Sequence, residues 1–207
     1  YGNEIPITYY YNYHLIYSDD FSGANQSLTS YSAHWETSVV GQYYIDNGRL
    51  TIEGADDGYM HEAIFSRLCD GAYCMVANPD LTIESWKIYN YQNSIDNISI
   101  ALGTSLYENE SWVNYRRYYL FVNTETQQYS LWKLIGDPST WVPLVSYTYS
   151  NMIDDYMVMR IKYNNSTSTF SIYIDNQLLT TYSYSLEGGE VFDEIVVAGQ
   201  KQSKAQF

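Results

Sequence analysis

At 207 residues the chain fits one domain able to bury roughly 70% of the surface its unfolded form exposes. Ten Lys plus Arg against 24 Asp plus Glu leave a net charge of -14, which sets most of the surface against polyphosphate and excludes nucleic acid and anionic membranes as partners. No apolar run reaches the roughly 18 residues of a membrane span, and 25 tyrosines with abundant Ser, Thr and Asn but little Lys suit an extracellular chain whose signal peptide has been removed ahead of Tyr1.

The opening run, Ile5 to Phe21, alternates with period two. Ile5, Ile7, Tyr9, Tyr11, Tyr13, Leu15 and Tyr17 fall on one side, and Pro6, Thr8, Tyr10, Asn12, His14 and Ile16 on the other. Strands typically run about 5 to 6 residues, so this ladder divides into a tail, residues 1-14, and a domain over residues 15-207 that begins with a first body strand. Asp19 to Gly23 reads as a turn, and Ala24 to Ser38 as a polar loop carrying Trp35. Residues 41-54 spell a hairpin around Asn47-Gly48.

His61 to Leu68 and Cys74 to Ala77 read as a second hairpin, whose turn at Asp70-Gly71 would bring Cys69 and Cys74 face to face as a disulfide. A metal site is the rival reading, but His14, His34 and His61 offer no CxxC or HxxxH spacing; a pair of buried thiols is the third. A disulfide implies an oxidising compartment or an extreme thermophile. Strands follow at Leu81 to Tyr91, Ile95 to Gly103 and Tyr115 to Val122, the last two separated by a wet loop from Thr104 to Asn114. Tyr129 to Ile135, Trp141 to Tyr149, Tyr156 to Tyr163, Thr169 to Ile174, Gln177 to Tyr184 and Val191 to Ala198 complete the series. Short strands at regular spacing, with no helical window and no repeat of fixed period, predict an all-β, two-sheet antiparallel sandwich with an extended N-terminal strand.

DDFSG, GQYYIDNGRL, LTIESWKI, YYLFV, YSLWKL, MRIKYNNSTSTFSIYIDNQLL and FDEIVVAG together resemble the concanavalin A-like lectin and glucanase jelly roll in its laminin-G-type branch, over about Leu15 to Gln200. The resemblance implies that the first and last body strands pair, with Leu15 to Tyr17 beside Ile195 to Val197. An extended tail ahead of such a domain, with many Tyr and glycan acceptors, resembles an extracellular filament subunit of the archaeal thread or pilus kind. That second resemblance implies donor-strand complementation: Ile5, Ile7, Tyr9 and Tyr11 would complete a sheet in the next copy of the chain, giving a homopolymer with a role in adhesion. The alternative is a secreted carbohydrate-binding, lectin-like module.

The glucanases of this fold place two or three carboxylates on one face of a strand. Here Glu187 and Glu190 flank a Gly188-Gly189 turn, and the adjacent Asp193 and Glu194 point to opposite faces, so the sequence reads as non-enzymatic. GxSxG and phosphate loops are absent, and His14 reads as a solvated edge residue. No cofactor is implied. A structural calcium is conceivable near Asp20 and Asp193, but Asp19-Asp20, Asp56-Asp57 and Asp154-Asp155 lack EF-hand spacing. Asn25, Asn97, Asn109, Asn164 and Asn165 each start an N-x-Ser/Thr sequon for N-linked glycans. Trp112 and Trp141 are candidate stacking platforms for a sugar ring, against the ordinary reading of aromatics packed across strands.

Overall fold

A computed structural model describes residues 7-11, 14-19, 21-31, 35-37, 42-53, 60-65, 81-88, 97-108, 111-123, 126-136, 140-148, 156-186, 190-200 and 204-206. In chain order these form β1 (Ile7–Tyr11), β2 (His14–Asp19), β3 (Gln26–Ser27), the short helix α1 (Leu28–Tyr31), β4 (Trp35–Thr37), β5 (Gln42–Asp46), β6 (Arg49–Glu53), β7 (Met60–Phe65) and β8 (Leu81–Ile88). Then come β9 (Asn97–Glu108), β10 (Ser111–Asn123), β11 (Gln128–Ile135), β12 (Thr140–Thr148), β13 (Met157–Asn164), β14 (Thr169–Ile174), β15 (Gln177–Ser183), β16 (Glu190–Gln200) and β17 (Lys204–Gln206). The strands make a six-stranded sheet, β15-β14-β13-β8-β1-β2, a seven-stranded sheet, β12-β11-β10-β9-β16-β7-β4, and a small sheet, β17-β6-β5-β3. The expected all-β, antiparallel jelly-roll sandwich is observed, with a third small sheet added to the two.

Alternation builds the core. Ile98, Ile100 and Leu102 of β9, Tyr118, Leu120 and Val122 of β10, and Ile195 and Val197 of β16 are buried on one face of the seven-stranded sheet. They meet Met157, Met159, Ile161 and Tyr163 of β13 and Phe170, Ile172 and Ile174 of β14 from the six-stranded sheet. Aromatic rings bridge the layers, with Tyr118 4.9 Å from Phe170 and Tyr163 5.5 Å from Phe192, in the tilted arrangements that ring quadrupoles favour. Ile45, Leu50 and Ile52 of the small sheet join the same cluster.

The Asn-Gly hairpin forms as expected. Asn47 and Gly48 sit at φ 52° and 72°, the left-handed pair that a type I′ turn requires, so β5 and β6 pair from Asp46↔Arg49 to Gln42↔Glu53. Asp175 and Asn176, at φ 50° and 64°, turn β14 into β15 in the same way.

The opening run departs from expectation. It reverses between Tyr11 and His14, pairing Ile7 with Asp19 and Tyr9 with Tyr17, and the other edge of β1 pairs with β8, Thr8 opposite Glu84. Tyr9 and Tyr11 are thus engaged on both sides, and Ile7 on the β2 side, within their own chain rather than offered to a neighbour; Ile5 lies outside the described residues. Period-two alternation records which way each side chain faces and is silent on where the chain turns back. Leu15 to Tyr17 consequently pair with β1, not with Ile195 to Val197, whose strand is enclosed by β9 and β7. Two loops also carry structure: β3, α1 and β4 fall inside Ala24 to Ser38, and β9 and β10 extend to Glu108 and from Ser111, through the predicted wet loop.

Candidate functional site

The face of the seven-stranded sheet turned away from the core carries the unusual chemistry. Along β10 the odd-numbered residues point there, placing Arg117, Tyr119 and Phe121 in one file. Arg117 donates from Nη1 to Glu62 Oε2 of β7 at 3.0 Å and from Nε to Glu194 Oε2 of β16 at 2.8 Å. Tyr119 donates its hydroxyl to Glu62 Oε1. The three charged side chains are only 12% (Arg117), 9% (Glu62) and 16% (Glu194) exposed, so a triad drawn from three strands is largely out of water.

Two backbone features make the triad possible. The β16 ladder shifts register between Phe192 and Glu194, and beyond that irregularity Glu194 stands opposite Gly103, which in turn stands opposite Arg117. A Cβ on Gly103 would lie 2.6 Å from Glu194 Cβ and 2.7 Å from Glu194 Oε2. Only glycine lets the carboxylate cross β9 to reach the guanidinium.

Burial sets the titration. It raises the Glu62 carboxyl above its ordinary 4.5, helped by the Glu194 charge and opposed by Arg117 and the Tyr119 hydrogen bond. Burial and the Glu62 charge push the Tyr119 phenol well above its usual range. For Arg117 burial works toward a lower value, but the negative partners outweigh it and hold the guanidinium charged.

Beside the triad lies an aromatic shelf. The Tyr119 ring is 5.4 Å from Phe121, nearly parallel, and 5.2 Å from Trp141 of β12; Phe121 is 5.8 Å from Trp141. Ile64, Ala101, Leu134 and Val196 floor this shelf, with Trp132 packed against it. Trp141 keeps 39% of its surface exposed. Hydroxyl acceptors and an open indole therefore adjoin one another on a single face.

Among the residues singled out from the sequence, Trp141 and Glu194 reach this face. Trp112 lies on β10, with its side chain outside what is described; Asp193, next to Glu194, and Glu190 lie on β16. Cys69, Cys74, Asn109, Glu187, Asp20, Asp56, Asp57, Asp154 and Asp155 lie outside the described residues. Among those described, no three His, Cys, Asp or Glu side chains converge on a metal position. Asn25 is exposed and caps the Asn-Gly turn, donating to Asp46 Oδ1 at 2.8 Å and accepting from the Asn47 amide at 3.0 Å. Asn164 ends β13 and Asn165 begins the turn into β14, across which Asn164 Oδ1 accepts from the Thr167 amide at 2.9 Å. Asn97 opens β9, opposite Asn123.

Sequence reading passed over Glu62, Arg117 and Tyr119. The available signal was Arg116-Arg117 inside the apolar run YRRYYLFV: in a chain with ten cations, two consecutive arginines within a buried strand demand anionic partners.

No protein-family model and no curated protein matches the sequence. Solved structures do match the fold. A GlcNAcα1-4Gal-releasing endo-β-galactosidase from Clostridium perfringens aligns with 100% of this chain and 62% of its own, at TM-score 0.59 and 11% identity. A protein of unknown function with a galectin-like fold from Bacillus subtilis aligns with 88% of this chain and 91% of its own (TM-score 0.57, 11% identity). The Emp47p carbohydrate recognition domain aligns with 91% and 89% (TM-score 0.56, 11% identity). The chain spans 15% of the length of a sialidase that it also matches. The three likenesses with TM-scores of 0.56 to 0.59 show a galectin-like, concanavalin A-like jelly-roll fold.

Proposed function

We propose that this chain is a carbohydrate-binding, lectin-like module of an extracellular protein, and that it takes its ligand on the outer face of the seven-stranded sheet. The observation that carries the reading is Trp141, an exposed indole resting on Tyr119 and Phe121 beside the Glu62–Arg117–Glu194 triad. A pyranose presents an apolar C–H face and a rim of hydroxyls. The indole suits the first and the carboxylates suit the second. The carbohydrate-recognition neighbour of the same fold supports the class.

The module is non-enzymatic on this reading because both carboxylates are committed to one guanidinium, which opposes the proton exchange that a general acid performs. Asn25, Asn164 and Asn165, in or beside chain reversals, are the acceptors that would carry N-linked glycans at the cell exterior. The test is a glycan array followed by calorimetry on the wild type and Trp141→Ala. Reproducible binding that Trp141→Ala abolishes supports the reading, and an empty array at high protein concentration overturns it.

One observation favours a second reading, glycoside hydrolysis. Glu62 and Glu194 share a face, and burial raises the Glu62 carboxyl, the direction a general acid requires. Release of reducing ends from a polysaccharide panel by wild type, and none by Glu62→Gln, would establish it.

A further inference from the structure

We propose that this face selects glycans by charge, rejecting uronate- and sulfate-bearing chains and binding glycans with free amino groups most tightly. The inference rests on the carbohydrate-binding reading above and names its ligand class.

Arg117 is the cation that the site offers, and its Nε and Nη1 are already given to Glu194 and Glu62. Two carboxylates against one guanidinium leave the triad with an excess of negative charge. An arginine in that state is a poor receptor for a sulfate or a uronate, which would have to displace a buried carboxylate from it. An ammonium group displaces no carboxylate from Arg117. It can approach Glu194, the most accessible of the three side chains at 16%. Trp141 contributes in the same sense, because an exposed indole attracts a cation through its ring as readily as it stacks on a sugar.

The long-range field agrees with the local one. A net charge of -14 repels polyanionic chains before contact and concentrates cationic ones, and the sheet beneath the triad is apolar, so the local field is weakly screened. Neutral sugars would bind through stacking and hydroxyl contacts alone. The expected order is therefore amino sugar, then neutral sugar, then acidic sugar.

The experiment is calorimetry of the full chain with three oligomers of equal length: a chitosan oligomer with free amines, its N-acetylated counterpart and an oligo-uronate. At low salt the amine form is expected to bind about tenfold tighter than the acetylated form, with the uronate undetected. That margin should shrink in about 0.5 M NaCl, where the Debye length falls to a few ångströms. Glu194→Gln should remove most of the margin. Asp46→Asn, the same one-unit change on the small sheet, should leave it intact.

Equal affinities for amine and acetylated forms, or preference for the uronate, would overturn the charge selection and leave the carbohydrate reading standing. A loss of margin as large in Asp46→Asn as in Glu194→Gln would overturn it too, by showing attraction to bulk charge. Absence of binding in every arm would remove the carbohydrate reading and this inference together. Should Glu194→Gln fail to fold by circular dichroism, the salt dependence of the three wild-type affinities decides the matter by itself.

Discussion

Tyr118 and Tyr119 are adjacent in sequence, identical in type and both fully buried, yet they belong to different parts of the molecule. Tyr118 faces the core, with its ring 4.9 Å from Phe170 and 5.4 Å from Tyr184. Tyr119 faces outward, where its hydroxyl meets Glu62 and its ring supports Trp141. The side of Tyr118 is filled mainly by packed rings and aliphatic side chains, and the side of Tyr119 joins a charged triad to an aromatic shelf. Apolar packing rewards burial directly, whereas charges lose hydration on burial and recover it only through partners.

Substitutions at the two faces should fail differently. Tyr118→Ala empties a fully enclosed ring site, and urea denaturation should show a loss of about 4 kcal/mol, with no dependence on pH between 5 and 8. Arg117→Leu should cost about 3 kcal/mol, since it strands two carboxylates out of water; unlike the core variant, it should regain stability on acidification, because losing Arg117 leaves burial to raise the Glu62 carboxyl unopposed by that charge. Gly103→Ala should cost about 2 kcal/mol by forcing Glu194 off Arg117, and a double mutant with Glu194→Ala should recover part of that, a coupling that a plain loss of strand flexibility would not produce.

Glu62→Gln should alter stability by about 1 kcal/mol at neutral pH, and its informative effect is on the pH profile. Burial raises the Glu62 carboxyl, so the folded chain holds that proton more tightly than the unfolded chain does. Between 4.5 and the raised value, stability from this group increases as pH falls and is lost as pH rises. The variant should lack that segment of the wild-type curve. A profile unchanged by the substitution would mean that Glu62 titrates as an ordinary surface carboxyl. Trp141→Ala should move the denaturation midpoint least of all, by under about 1 kcal/mol, because the indole is already partly in water.

The sequence exposed what is local and concealed what is assembled. Asn47-Gly48 dictates its turn because its backbone angles are open to few other residue pairs, and the alternation of β10 and β14 follows from residues two apart. Trp141 could be suspected as a platform by type. The triad could not, since Glu62, Arg117 and Glu194 meet only through the pairing of β7, β16, β9 and β10, and the shift at Asp193 that sets up Glu194 has no residue signature. The same limit misplaced Ile7, Tyr9 and Tyr11. Their pattern is that of a strand, but a pattern does not say whose sheet the strand will enter.

The place of β16 in the seven-stranded sheet has a consequence for how the chain is made. It lies between β9 and β7, yet a ribosome delivers it well after both. Until then the facing edges of β9 and β7 must wait without their shared neighbour. A nascent chain in that state is slow to fold, because its decisive contacts are distant in sequence, and it is exposed to pairing with other chains in the interval. Insertion of β16 ends that vulnerability and, by delivering Glu194 to Arg117, completes the outer face in the same event. A chain that has not finished folding therefore has no finished site to present, and ligand retention would report on maturation as directly as any structural probe.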